Sequence, residues 1–196
     1  MQLFRRQPPF AEATYWALDL ETTGLDPRVD QVLSIGMVPI RGGAIRWRER
    51  WYREVRPPQL DAAWTPAIAV HRQLPGELSG ADRLADVLPE VMARLDGAAL
   101  VVHWARLDVE LLRRGCRDAG LPWPRPRVVD TLDLITRYAR RRRLYEPGSQ
   151  PVPTQLAEAR AFFGLPRHDE HHALYDALAT AELLLVLRAR LELRRL

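Results

Sequence analysis

The chain has 196 residues, 47% of them apolar and 28% charged, which fits one folded domain with its own core and not a disordered chain. Its net charge is +4, and all 29 basic side chains are arginine, a composition compatible with a phosphate-bearing partner without identifying one. No run approaches the roughly 20 uncharged apolar residues that span a bilayer, and no apolar stretch follows Arg5 and Arg6 as a secretory signal requires.

Residues 1–13 read as a loosely held arm and residues 14–196 as a single domain. Residues 14–20 are β-rich and apolar and end in an acidic turn, as a central strand would. Residues 31–40 read as a second strand, Arg41-Gly42-Gly43 as a hairpin turn, and residues 44–55 as a third, antiparallel strand. Residues 56–60, with Pro57 and Pro58, form a loop. The period then changes to that of a helix over residues 82–95, with Pro89 expected to kink or break it. Residues 98–102 read as a short buried strand and 107–119 as a helix stopped by Gly120. Cys116 lies within that helix as a packing residue; as the only cysteine it excludes a disulfide framework, and a reducing cytoplasm is the compartment it fits. A short strand follows at 127–129, then a helix capped by Asp130 and reaching about residue 143. A Pro/Gly-bearing loop, a helix at 154–163 and a long helix at 173–191 complete the chain. A hairpin start followed by strand–helix alternation indicates an α/β fold with a sheet of mixed direction.

Three groups of residues carry chemistry. Asp19 and Glu21 are two apart on a strand, so both carboxylates project from the same face. Two like charges so placed repel, and a hard divalent cation resolves the conflict. Thr22-Thr23-Gly24 follows, a tight turn able to present N–H groups to a substrate end. Asp108 opens a helix directly after a buried strand, the junction where α/β sheets bind ligands. Arg167-His168-Asp169-Glu170-His171-His172 precedes Asp176, and a histidine there can act as a general base. On a helix, i and i+4 share a face while i and i+5 diverge by roughly 140°, so spacing favours His172 beside Asp176. A zinc site has no support, since neither HExxH nor CxxC is present. The run of Arg137, Arg140, Arg141, Arg142 and Arg143 reads first as a solvated helix end and second as a phosphate contact. Trp64 and Trp104 are candidates to stack on a base.

Together these pieces resemble the DEDDh family of 3′→5′ exonucleases, which includes the proofreading subunit of bacterial DNA polymerase III, ribonuclease T and oligoribonuclease. The resemblance covers about residues 14–190. Asp19-Leu20-Glu21-Thr22-Thr23-Gly24-Leu25 is similar to the family's first motif, and the stretch from His103 to Asp108 to its second. His171-His172-Ala173-Leu174-Tyr175-Asp176 is similar to the third, which places the family's general base on His171 and not on His172. Val70-His71, Asp130-Thr131-Leu132 and Phe163-Gly164-Leu165-Pro166 match intermediate landmarks. Trp104 and Leu107 depart from the second motif, where Asn and Phe are usual.

The resemblance implies a ribonuclease H-like fold, with a mixed five-stranded sheet flanked by helices. It implies two Mg²⁺ or Mn²⁺ ions on Asp19, Glu21, Asp108 and Asp176, with His171 as base. Thr22, Thr23, Gly24, Leu25, His103 and Trp104 would contact the substrate. The expected reaction is metal-dependent hydrolysis of single-stranded or frayed 3′ ends, releasing nucleoside 5′-monophosphates. DNA-directed work in proofreading or repair, beside a polymerase or repair complex and away from membranes, is the leading expectation. An RNA-directed enzyme and an inactive module that binds nucleic acid or a polymerase remain open.

Overall fold

The computed structural model describes residues 8–58 and 78–196. Strand β1 (Tyr15–Thr22) is buried along almost its whole length because helices cover both faces of the sheet. Tyr15 and Ala17 point into one core, while Trp16, Leu18 and Leu20 point into the other. β2 (Val32–Arg41) lies antiparallel to β1, and β6 (Ala99–Val102) parallel to it on the other side. β3 (Ala44–Ile45) and β4 (Trp51–Arg56) pair with β2, β5 (Asp82–Arg83) with β4, and β7 (Arg127–Asp130) with β6. Among the described residues the sheet therefore runs β5-β4-β2-β1-β6-β7, with β3 beside β2. The expected five-stranded mixed sheet is its main body; β3 and β5 are two-residue additions.

Helices α1 (Leu84–Leu95) and α2 (Ala105–Asp118) cover the face that carries Trp16, Leu18 and Leu20. Helices α3 (Thr131–Tyr145), α4 (Leu156–Phe162) and α5 (Ala173–Arg190) cover the other. Buried Arg160 of α4 ties the second layer together. It donates to the carbonyls of Ala179 and Pro166 and pairs with Glu182 at 2.7 Å, so its charge is neutralised where it is buried.

Three expectations need correction. The stretch 44–55 is not one strand: a 3-10 turn at Trp47–Glu49 separates β3 from β4. That turn brings Trp47 against Tyr175 of α5, ring centroids 6.3 Å apart, and tertiary packing overrides the local strand pattern. Pro89 does not break α1, which runs unbroken through it. The carbonyl that loses its partner belongs to Ala85, and Ala85 is exposed, so water can satisfy it. Residues 8–13 are not loose: Phe10 is buried against Tyr15, Arg188 stacks over its ring, and its N–H donates to Arg194 at 2.8 Å. The rest of the expected arm, with Trp64, Val70 and His71, lies outside the described residues.

Candidate active site

The C-terminal end of β1 sets the site. Asp19 and Glu21 project from the same face, and the β1–β2 pairing slips between Glu21 and Thr22, a bulge of the kind that re-aims side chains at the end of a strand. The chain then turns. The Thr22 hydroxyl donates to the Gly24 carbonyl at 2.7 Å. Asp30 braces the turn from the far side, accepting from the Thr23 hydroxyl and from the N–H of Asp26, each at 2.8 Å. A Cβ on Gly24 would lie 2.6 Å from the Asp30 carboxylate, so that bracing requires glycine.

The start of α5 supplies the next groups. His172 is the N-cap: its Nδ1 accepts from the N–H of Leu174 at 3.2 Å. Asp176, in the first turn, reaches back to the N–H of His171 at 2.8 Å and of His172 at 3.2 Å. His168 donates from Nε2 to the other Asp176 oxygen at 2.7 Å. The helical argument for His172 assumed a helix that included it, whereas α5 begins at Ala173. The His172 ring stacks on Tyr52, centroids 4.9 Å apart. His171 instead adopts a left-handed backbone, φ 64°, and lines the same pocket as Asp19, Glu21 and Asp176.

The junction of β6 and α2 forms the third wall. Trp104 is the N-cap residue of α2, also with a left-handed backbone, φ 72°, and its ring is 44% exposed. Asp130 holds that conformation. Its carboxylate caps α3 through Leu132 N–H at 2.9 Å and also accepts from Trp104 N–H at 3.0 Å and Ala105 N–H at 2.8 Å. His103 is engaged at both ring nitrogens, with Thr131 Oγ1 at 2.8 Å and the Thr154 carbonyl at 2.9 Å. A carbonyl only accepts, so Nε2 carries a proton, while the Thr131 hydroxyl lies between Nδ1 and the Val102 carbonyl, 3.1 Å away. Burial pushes the His103 pKa down, which keeps the ring neutral.

Asp19, Glu21 and Asp176 each bring a carboxylate oxygen within 4.8 Å of the other two. Asp108 does not line this pocket; it is buried behind it, with backbone N–H groups of Leu20 and of Asp108 itself aimed at its carboxyl. Burial, then the charge of Asp130, pushes Asp108 up to about 8. Asp19 is raised well above the usual carboxylate range, first by burial and then by Asp108, Asp176 and Glu21. This is an all-oxygen, net-negative cluster that a divalent cation would relieve, so the residues fit such an ion.

Of the expected substrate contacts, His103 lines the acid pocket while Leu25 and Trp104 line the neighbouring cleft, and the Thr22–Gly24 turn connects the two. The arginine run lies at the far end of α3 from Asp130. Sequence reading missed the contacts of His168 and Asp130. Asp130 was legible as a helix cap, but its bonds across to residues 104 and 105 have no local signature.

The RNase_T family model, described as Exonuclease, matches residues 16–184. A PolC-type DNA polymerase III of Thermotoga maritima is 31% identical over 178 residues, covering 90% of this chain. The chain spans only 12% of that relative's length. E. coli Exonuclease I in complex with a dT13 oligonucleotide superposes with a TM-score of 0.75 at 18% identity, covering 92% of this chain and 42% of that one. Exonuclease X in complex with 5′-overhanging duplex DNA superposes with a TM-score of 0.65 at 23% identity, covering 89% and 91%. With the family match spanning nearly all of the described fold and all four acids and His171 inside it, the chain belongs to the RNase_T exonuclease family.

Proposed function

We propose that the chain removes nucleotides from the 3′ end of single-stranded DNA and releases nucleoside 5′-monophosphates. The observation that carries this reading is the convergence of Asp19, Glu21, Asp176 and His171 on one pocket, with Asp108 buried behind it. The names of its relatives favour DNA: a DNA polymerase III, and exonucleases solved with DNA. The first of these names also favours work beside a polymerase, and we propose the cytoplasm as the compartment.

Asp19, Glu21 and Asp176 would hold Mg²⁺ or Mn²⁺, with Asp108 supporting a second ion from behind. Ions bound there would supply stabilisation of the charge that develops on the attacking and leaving oxygens. The chain's own groups do the rest. The imidazole of His171 takes a proton from the attacking water as its oxygen bonds to phosphorus. The bond from phosphorus to the 3′ oxygen of the preceding nucleotide breaks, and that oxygen leaves as a hydroxyl, protonated by solvent. The Thr22–Gly24 turn and Leu25 position the terminal nucleotide, with neutral His103 as a wall and Trp104 beside the base.

The test is incubation of the purified protein with 5′-labelled single-stranded DNA and its RNA twin, in Mg²⁺, Mn²⁺ or EDTA. A metal-dependent ladder shortening from the 3′ end, faster on DNA, is expected. A faster RNA ladder would reassign the substrate. No ladder on either strand would leave a binding module.

A further inference from the structure

We propose that the cleft between the 25–28 turn and the outer face of α2 is a track for the unpaired nucleotides upstream of the 3′ end. This rests on the nuclease reading above and adds to it a binding site for several nucleotides of single strand.

The cleft measures about 660 Å³ and is lined by Leu25 and Arg28 on one wall and by Trp104, Arg106, Arg114 and Arg117 on the other. The pattern follows from helix geometry. Positions 106, 110, 114 and 117 fall on one face of α2, while Asp108, Leu111, Leu112 and Cys116 occupy the buried face. The same helix thus places an acid behind the pocket and a row of guanidinium groups along the surface leading away from it.

The charge of that row is not cancelled locally. The two acids in the cleft already have partners, Asp26 with Arg28 at 2.7 Å and Glu110 with Arg113 at 2.8 Å. Arg114 donates to the carbonyls of Pro27 and Asp30, which are neutral, so its positive charge stays uncompensated. Among the described residues Arg106 forms no ion pair, its charge reaching only Asp26, which Arg28 already pairs, and Arg117 pairs with Asp118 at 3.2 Å with both side chains exposed, a contact of little energy.

At the end nearest the Thr22–Gly24 turn the cleft presents Leu25, 69% exposed, and Trp104, 44% exposed. Large apolar groups held in water beside a row of guanidinium groups with surplus positive charge match the chemistry of single-strand binding, in which bases stack and arginines follow the phosphates. A base inside a duplex is stacked on both faces and has none to offer such groups. From Arg106 to Arg117 the row is about 16 Å long, roughly the length of five stacked nucleotides and fewer extended ones.

The experiment compares the wild type with Arg106→Gln/Arg117→Gln on three substrates. These are the p-nitrophenyl ester of thymidine 5′-monophosphate, too short to reach the arginine row, and oligothymidylates of about four and about twelve nucleotides. Wild-type KM should fall with length. The variant should raise KM for the longest substrate roughly ten-fold and lower the slope of log Kd against log salt by about 1.4, with Kd read by fluorescence anisotropy in EDTA. Ester hydrolysis should stay within two-fold. A length-independent wild-type KM, or a variant indistinguishable on the long oligonucleotide, would overturn the track while leaving the nuclease intact. Arginine-dependent binding in a protein that cleaves nothing would remove the nuclease reading and support the track.

Discussion

The carbonyl of Ala173 rests on the Cα of Gly36 so closely that a methyl group there would stand 2.2 Å from the oxygen. Gly36 lies in register between Asp19 on β1 and Tyr52 on β4. The first turn of α5 therefore sits astride that row, with Asp176 meeting Asp19 on one side and His172 stacking on Tyr52 on the other. The clash in Gly36→Ala is with backbone and cannot be relieved by a rotamer. The variant should lose about 1–3 kcal/mol of stability and most of its Mn²⁺-dependent rise in Tm. Thermal melts with and without Mn²⁺ check this; an unchanged Mn²⁺ effect would show that the Gly36 contact does not set the position of Asp176.

His171 and His172 are neighbours with different surroundings. His171→Ala should cost on the order of 10²–10⁴ in kcat while Mn²⁺ still raises Tm. His172→Ala should cost about 1 kcal/mol through the lost cap and little kcat. Steady-state kinetics paired with melts separate the two, and the reverse pattern would move the base to His172.

Asp19→Asn removes a group whose ionisation burial and three neighbouring carboxylates oppose. The metal-free variant should melt higher than the wild type, gain nothing from Mn²⁺ and show no ladder. Retained cleavage would exclude Asp19 from the metal set.

Asp19 and Asp108 both have folded-state pKa values above those of the unfolded chain, Asp108 at about 8. Between about pH 4 and that value the unfolded chain has lost protons that the fold retains. Stability in EDTA should therefore fall as pH rises through this window and level off above it. Mn²⁺ must displace the same protons, so its affinity should climb over the same range. Melts across pH with and without Mn²⁺ measure both; a metal-free Tm that rises with pH would contradict the electrostatics.

Trp104 occupies a left-handed backbone position that favours asparagine over tryptophan. Trp104→Asn should gain up to about 1 kcal/mol yet raise KM for oligonucleotides. A lower Tm would mean that ring packing outweighs the backbone strain.

That same position shows where the sequence could be read and where it could not. Asp19 and Glu21 were legible because strand alternation alone puts them on one face. Asp108 was legible because it follows a buried strand at the opening of a helix. The left-handed turn at Trp104 was not legible, since it depends on Asp130, distant in the chain. Periodicity favoured His172 over His171 because it assumed a helix that includes His172, whereas α5 starts at Ala173, where the backbone packs on Gly36. Trp47 was misread as strand for a similar reason: its partner is Tyr175, on the far side of the domain in sequence.

The acids come from the central strand, from α2 and from α5, so no short segment holds a working set. A nascent chain that stops before Ala173 already carries Asp19, Glu21 and Asp108, yet lacks the carboxylate that completes their cluster. On the proposed function, destructive chemistry would be withheld from partly made or partly unfolded molecules, and cleavage would report that β1, α2 and α5 have docked.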